Sequence, residues 1–216
     1  MDYSPGLRGV VAGETAISTV GMEGTSLRYR GYDAIELTKN STYEAVASLV
    51  INDSLDEADY KKSFSKYYLQ ISKDKNLNQL LEEVKEKLSP MDVIRTVVSY
   101  MGELTTLMKK KLDNQDKVEL TARINATVCY IIASYHKDDC DELDDSYLVA
   151  SSMLPNNANK EKIEALDDML ILYAEHGFNA STFAARVTAS TRSDLTSAIV
   201  SGIGTLKGEL HGGANE

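Results

Sequence analysis

The spacing of apolar positions changes character once along the chain, near residue 41. Beyond it, Ala45, Val46, Leu49 and Val50 form one stripe behind Ser41, with Glu44 at the third helical position as in a capping box. A second helix is predicted from Glu57 into Tyr67-Tyr68-Leu69, and a third from Leu77 to Leu88, with Leu77, Leu80, Leu81, Val84 and Leu88 on one face. Pro90, capped by Ser89, opens a helix whose apolar positions are Val93, Ile94, Val97, Val98 and Met101. From Val118 to Tyr135 the pattern is apolar over a wide arc, with little charge near Ile124, Val128, Ile131 and Ile132, as in a helix buried on two sides. A short helix near Tyr147 to Leu154 and the loop Pro155-Asn-Asn-Ala-Asn159 follow.

The apolar run Leu166 to Ala174 has helical length and ends at Gly177, which suits a left-handed cap and puts His176 in the helix's final turn. Asn179 is a good N-cap for the next helix, which contains Phe183, Ala184 and Val187. A last helix from Ser193 to Leu206 has Leu195, Ile199, Ile203 and Leu206 as its core face, while Ala198, Gly202 and Gly204 keep one side slim. Before residue 41 the pattern is β. Thr15 to Val20 and Ser26 to Arg30 are short runs rich in β-branched and aromatic residues around Gly21-Met-Glu-Gly24, a hairpin signal, and Pro5, Gly6 and Gly9 make the preceding piece irregular. Arg28 and Arg30 read as exposed charges protecting a sheet edge. The prediction is a mainly all-α protein: residues 1–40 an irregular segment with a β-hairpin, residues 41–216 a helical domain.

The 216 residues, 43% of them hydrophobic, are enough to bury a sizeable core. No apolar stretch approaches the roughly twenty residues needed to cross a bilayer, and the N-terminus lacks a basic region followed by an apolar one. The chain is expected to be soluble and cytoplasmic. A net charge of -10 repels nucleic acid and anionic membranes, so neither is an expected partner, and an anionic substrate needs a local basic pocket. Lys109-Lys110-Lys111, with Glu103 and Asp113 nearby, reads as a solvated helix end. Cys129 lies in an apolar stretch and Cys140 in an acidic loop, which is no disulfide framework and fits a reducing compartment. That acidic loop, Lys137 to Asp145, lacks the glycine and terminal glutamate of a calcium-binding EF-hand loop, and beside it His136 is an ordinary helix-end residue. No zinc-ligand spacing, P-loop or Gly-x-Ser-x-Gly elbow occurs, so no metal and no cofactor are expected. In Gly202-Ile-Gly-Thr-Leu-Lys-Gly208 the last glycine comes one residue late for dinucleotide binding, and no strand precedes it.

The candidate chemistry sits in two histidine loops. His176, beside Gly177 and the cap Asn179, either caps its own helix as an imidazolium or, with the amides of the next helix, faces an anionic oxygen-rich ligand. In the second loop Gly208, Gly212 and Gly213 bracket His211 and remove bulk around it. A histidine so placed donates from neutral imidazole to a carbonyl becoming an enolate, or else the glycines simply make a tight turn.

The stretch His176-Gly-Phe-Asn-Ala-Ser-Thr-Phe-Ala-Ala-Arg186, followed by Gly204-Thr-Leu-Lys-Gly-Glu-Leu-His-Gly-Gly-Ala-Asn-Glu216, resembles the citrate synthase family in its prokaryotic citrate and 2-methylcitrate synthase branch. Gly6 to Ser18, Leu27-Arg-Tyr-Arg-Gly-Tyr32 and Ser89-Pro-Met-Asp-Val-Ile-Arg-Thr96 resemble it too. One departure is Glu209, where relatives often carry proline. The resemblance implies a large-domain helical bundle and condensation of acetyl-CoA with oxaloacetate to citrate and CoA. His211 is then the catalytic histidine on the thioester oxygen, with Gly212 and Gly213 shaping its loop, and His176 and Asn179 bind the dicarboxylate. It also implies a homodimer through the helix at Pro90 and the one from Val118. The resemblance covers about the first three-fifths of the family's length, an ordinary large-domain share. Ala214-Asn215-Glu216 looks like the start of a further helix, so the chain is expected to be an N-terminal piece that lacks the small domain, the catalytic aspartate and the substrate-binding arginines, and is inactive alone. Propionyl-CoA as substrate, making a 2-methylcitrate synthase, is the alternative; a non-catalytic helical dimerisation protein is the second.

Overall fold

In a computed structural model, which describes residues 11–20, 26–102, 112–137 and 143–215, short polar side chains start most of the helices. Among the described residues there are ten α-helices: α1 Ala34–Asn40, α2 Tyr43–Asn52, α3 Ala58–Ser72, α4 Lys75–Lys85, α5 Pro90–Tyr100, α6 Asn114–Ala133, α7 Leu148–Met153, α8 Lys160–Leu172, α9 Ala180–Ser190 and α10 Leu195–Leu206. Ser89, Asn159, Asn179 and Asp194 each accept an amide from the turn they open, an interaction whose loss costs about 1 kcal/mol. The all-α expectation holds. The Pro5 to Gly9 segment, the Gly21-Met-Glu-Gly24 turn, the lysine triplet, Cys140 with most of the acidic loop, and Glu216 lie outside the described residues.

The β part is a three-stranded antiparallel sheet in the order β1 (Ser18–Thr19), β2 (Arg28–Tyr29), β3 (Tyr32–Asp33). The third strand, which the sequence pattern does not reveal, follows a tight turn with positive φ at Arg30 (49°) and Gly31 (91°), the geometry of two-residue hairpins. Arg30 is not an exposed edge charge. It is half-buried and donates to the Val50 carbonyl in the last turn of α2, at 3.0 Å. Residues 34–40 are also not irregular: Asp33 ends β3 and caps α1 through the Ile35 and Glu36 amides.

Ser41 closes α1 and Thr42 caps α2, so the expected Ser41–Glu44 capping box does not form. Glu44 is fully buried and accepts the Val149 amide in the first turn of α7, at 2.7 Å. Asp167 of α8, also buried, accepts the Tyr43 amide at the start of α2 at 3.1 and 3.2 Å. Two inward carboxylates thus satisfy orphan helix-start donors from another element, Asp167 beside the Thr42 cap of α2 and Glu44 at α7, whose Tyr147 makes no side-chain cap. The third helix also differs from expectation. It ends at Lys85, which leaves Leu88 outside its apolar face and 40% exposed.

The main core lies between α3 and α6. Tyr60, Phe64 and Tyr68 stack along α3, with centroids 6.4 and 5.8 Å apart, and Tyr130 meets Tyr68 edge-on at 5.7 Å. Asn125 donates to the hydroxyls of Tyr43 and Tyr60, so the buried phenols are partnered. Beyond its first turns α6 has no exposed residue, although several of its positions are only half-buried. Cys129 is buried there, and desolvation pushes its thiol up to about 12. A second cluster packs Tyr29, Leu37, Val46, Leu49 and Ile171. Tyr29 donates to the Ile171 and Leu172 carbonyls, at 2.8 and 3.0 Å, and so fixes where α8 stops. Among the described residues no helix is long and apolar enough to cross a membrane.

Burial, and next the charge of Glu44, push Asp167 up to about 7. A carboxyl whose folded pKa is raised gives stability that is complete below the ordinary value and is lost as pH rises through about 7. Urea unfolding across this range is therefore expected to show stability falling toward pH 8, and Asp167→Asn should remove roughly 2–4 kcal/mol of that fall. An unchanged slope in the folded variant would show that Asp167 is not the group.

Candidate active site

The first bend is held from three sides. Helix α8 stops at Leu172 with Tyr173 as its cap, so His176 is not in a helical turn but three residues beyond the cap, in the link to α9. Capping its own helix is therefore not its role. Gly177 has φ 87°, a conformation that L side chains rarely adopt. The Glu175 carboxylate accepts the Gly177 amide and the Ser18 hydroxyl, which ties the bend to β1. Phe178 lies against Gly13, and Arg186 of α9 stands over its ring at 4.7 Å, placing one guanidinium beside the bend.

The second bend leaves the end of α10. The His211 amide donates to the Gly208 carbonyl at 2.8 Å, the Gly213 amide donates to the same oxygen at 3.2 Å, and a 3-10 turn over Gly212–Asn215 follows. A Cβ at Gly213 would stand 2.3 Å from the Lys207 carbonyl oxygen, and one at Gly212 would stand 2.7 Å from both the Leu206 carbonyl oxygen and Cδ1. Neither position has room for a side chain unless the turn opens. The C-terminal end of α10 is held in turn by Lys207, whose Nζ meets Asp92 of α5 at 2.5 Å.

One hydrogen-bonded chain joins the two imidazoles. Asn179 Oδ1 accepts the Thr182 amide at 2.8 Å and the Ser181 hydroxyl at 2.7 Å, which leaves Nδ2 to face His176 Nε2 at 3.1 Å. Ser181 Oγ in turn faces His211 Nε2 at 3.0 Å. The donor inventory assigns the protons. An amide nitrogen only donates, so His176 Nε2 accepts and its proton is on Nδ1; the Ser181 proton goes to Asn179, so His211 Nε2 carries a proton and donates it. His176 is exposed and His211 half-buried, so a ligand has access to both rings.

The structure thus gathers His176, Asn179 and His211 at one place and puts Gly212 and Gly213 in the turn that carries His211. His136 lies apart, in the turn after α6. Sequence reasoning missed Ser181, the bridge between the rings, whose only local signal is its place two residues after an N-cap. It also missed Glu175 and the Asp92–Lys207 pair, the latter 115 residues apart in the chain. Among the described residues no group of three or more His, Cys, Asp or Glu could hold a metal ion.

The family model described as citrate synthase, C-terminal domain, matches residues 6–216. The chain is 40% identical to a 2-methylcitrate synthase of Shewanella oneidensis over 98% of its own length and 58% of that protein's, and 35% identical to a citrate synthase of Haloferax volcanii over 97% and 59%. Among solved structures it is similar to the Thermoplasma acidophilum citrate synthase in ternary complex with carboxymethyl coenzyme A and oxaloacetate, with TM-score 0.82, 25% identity, and 99% of this chain and 58% of that one covered. The chain therefore spans less than two-thirds of the length of the proteins it matches.

Ser181→Ala takes the acceptor from His211 Nε2 while Asn179 keeps the Thr182 amide, so the fold should hold within about 1 kcal/mol. The 15N resonance of His211 Nε2 is expected to move toward that of a solvated imidazole, with His136 unmoved. A folded variant with an unshifted His211 would exclude the chain of bonds described above.

Proposed function

The chain belongs to the citrate synthase family of acyltransferases, and from that premise we propose that it carries the histidine half of the active site of a synthase that condenses acetyl-CoA with oxaloacetate. The observation that carries this reading is the bonded run His176–Asn179–Ser181–His211, which leaves a donor proton on Nδ1 of His176 and one on Nε2 of His211.

In this reading His176 offers its Nδ1 proton to an oxygen of oxaloacetate, and Asn179 keeps the ring in the tautomer that can do so. His211 offers its Nε2 proton to the thioester oxygen. As a base removes a proton from the acyl carbon, that oxygen gains negative charge and becomes a stronger acceptor than Ser181. The hydrogen bond strengthens as the enolate forms, which is where stabilisation accelerates the step. The acyl carbon then bonds to the keto carbon of oxaloacetate, whose oxygen takes up a proton, and water cleaves the thioester to release citrate and CoA. The resemblance places neither the family's catalytic aspartate nor its substrate-binding arginines on a residue of this chain, so in this reading the base that removes the proton is not among these 216 residues. A homodimer through α5 and α6 and a cytoplasmic setting complete the reading, without a cofactor and with no role for nucleic acid or membrane.

Propionyl-CoA as acyl donor is the second reading, favoured by the 40% identity to the Shewanella 2-methylcitrate synthase. With oxaloacetate and either acyl-CoA, residues 1–216 are expected to release no free thiol above background, and turnover comparable to a full-length relative would refute this division of the site. In a chain extended to the length of its relatives, His211→Asn should lower kcat by about 10²–10⁴ while the fold persists. The ratio of kcat/KM for the two acyl-CoAs decides between the readings.

A further inference from the structure

Lys207 caps α10 four residues before His211, and its side chain leaves the loop altogether to meet Asp92 in the first turn of α5. Asp92 is a built receiver. Its carboxylate also accepts the Ser89 hydroxyl at 2.9 Å and pairs with Arg95 at 2.8 Å, and its side chain is only 18% exposed. Lys207, then Ser89, hold the Asp92 carboxyl below the usual carboxylate range. The backbone of the same lysine forms one wall of the His211 bend: a Cβ at Gly213 would overlap the Lys207 carbonyl oxygen, at 2.3 Å. Displacing Lys207 therefore displaces the surface on which the bend is folded.

We propose that the Asp92–Lys207 ion pair is a positioning strut that sets His211 against Ser181 by fixing the end of α10 to α5. This rests on the reading of His211 as the reacting imidazole, but the strut is tested on the chain itself without turnover. Lys207 touches no reacting group in this scheme; it acts through the bend. Because α10 has few fully buried residues, Thr196 and Ala198 among those described, the hydrophobic core alone holds its C-terminal end weakly. A charge-assisted contact between two partly buried groups can there decide the position of a bend.

The experiment compares residues 1–216 with Lys207→Met and Lys207→Arg by amide hydrogen exchange and histidine 15N spectra. In Lys207→Met the His211 and Gly213 amides, both bonded to Gly208, are expected to exchange about threefold to tenfold faster while α2 and α6 amides do not change. The His211 Nε2 resonance should move off its Ser181-bound position, and Lys207→Arg should restore both signals. Three results overturn the strut: unchanged exchange at His211 and Gly213 in Lys207→Met, exchange that rises uniformly along the chain, or no recovery with arginine in a folded protein. None of these bears on whether the extended enzyme is a synthase, which the turnover assay reads separately.

Discussion

The arrangement depends on the limited capacity of one amide side chain. Asn179 has a carbonyl end and an amino end, and the start of α9 claims the carbonyl for the Thr182 amide. Once that end is committed, the amino end points at His176 with no alternative assignment, and Ser181 must spend its proton on Asn179 rather than on His211. A local requirement of helix starts, the pairing of orphan amides, thereby sets the protonation pattern of two rings separated by 35 positions in sequence. Which ring nitrogen accepts and which donates follows from the cap.

Around that cap the rest of the chain acts as a mounting. Tyr29 fixes the end of α8 from inside the second cluster, and Glu175 ties the His176 bend to β1. Helices α9 and α10 run from one bend to the other, joined by the Thr188 and Ser201 hydroxyls at 2.9 Å. Helix α9 has no fully buried residue, so polar ties and half-buried contacts hold this hairpin to the body. The buried carboxylates Glu44 and Asp167 do similar work deeper in, where each accepts a helix-start amide of another element, Glu44 at α7 in place of a side-chain cap and Asp167 at α2 beside the Thr42 cap. Such joints give geometric definition at the expense of desolvating a charge, which is why Asp167 resists ionisation.

Several of these features were legible in the sequence. The apolar spacing located α2 through α10, and Ser89 and Asn179 marked their helix starts because a cap acts within three residues. Gly177, Gly212 and Gly213 marked bends for the same reason: a forbidden Cβ or a positive φ is a property of a few neighbouring atoms. The resemblance of the two histidine motifs to the citrate synthase family rested on local order of this kind as well. Where a residue had two possible partners, local reading failed. Glu44 looks like the third position of a capping box, Arg30 like an edge charge and His176 like a helix-end cation. In the folded chain Glu44 and Arg30 bond to backbone groups of another element, and His176 pairs with the cap of the helix that follows.

The sequence by itself determined which segments beyond residue 41 are helical and that two histidines lie on glycine-bearing bends between or after them, since these follow from side-chain spacing and backbone sterics over a few residues. Only the tertiary structure decided that the rings meet through Ser181, that Lys207 reaches Asp92 and that buried carboxylates pair the helix-start amides of α2 and α7. A hydrogen bond across 30 or 115 residues depends on how whole helices pack, and packing is a sum over many weak contacts that no short stretch encodes.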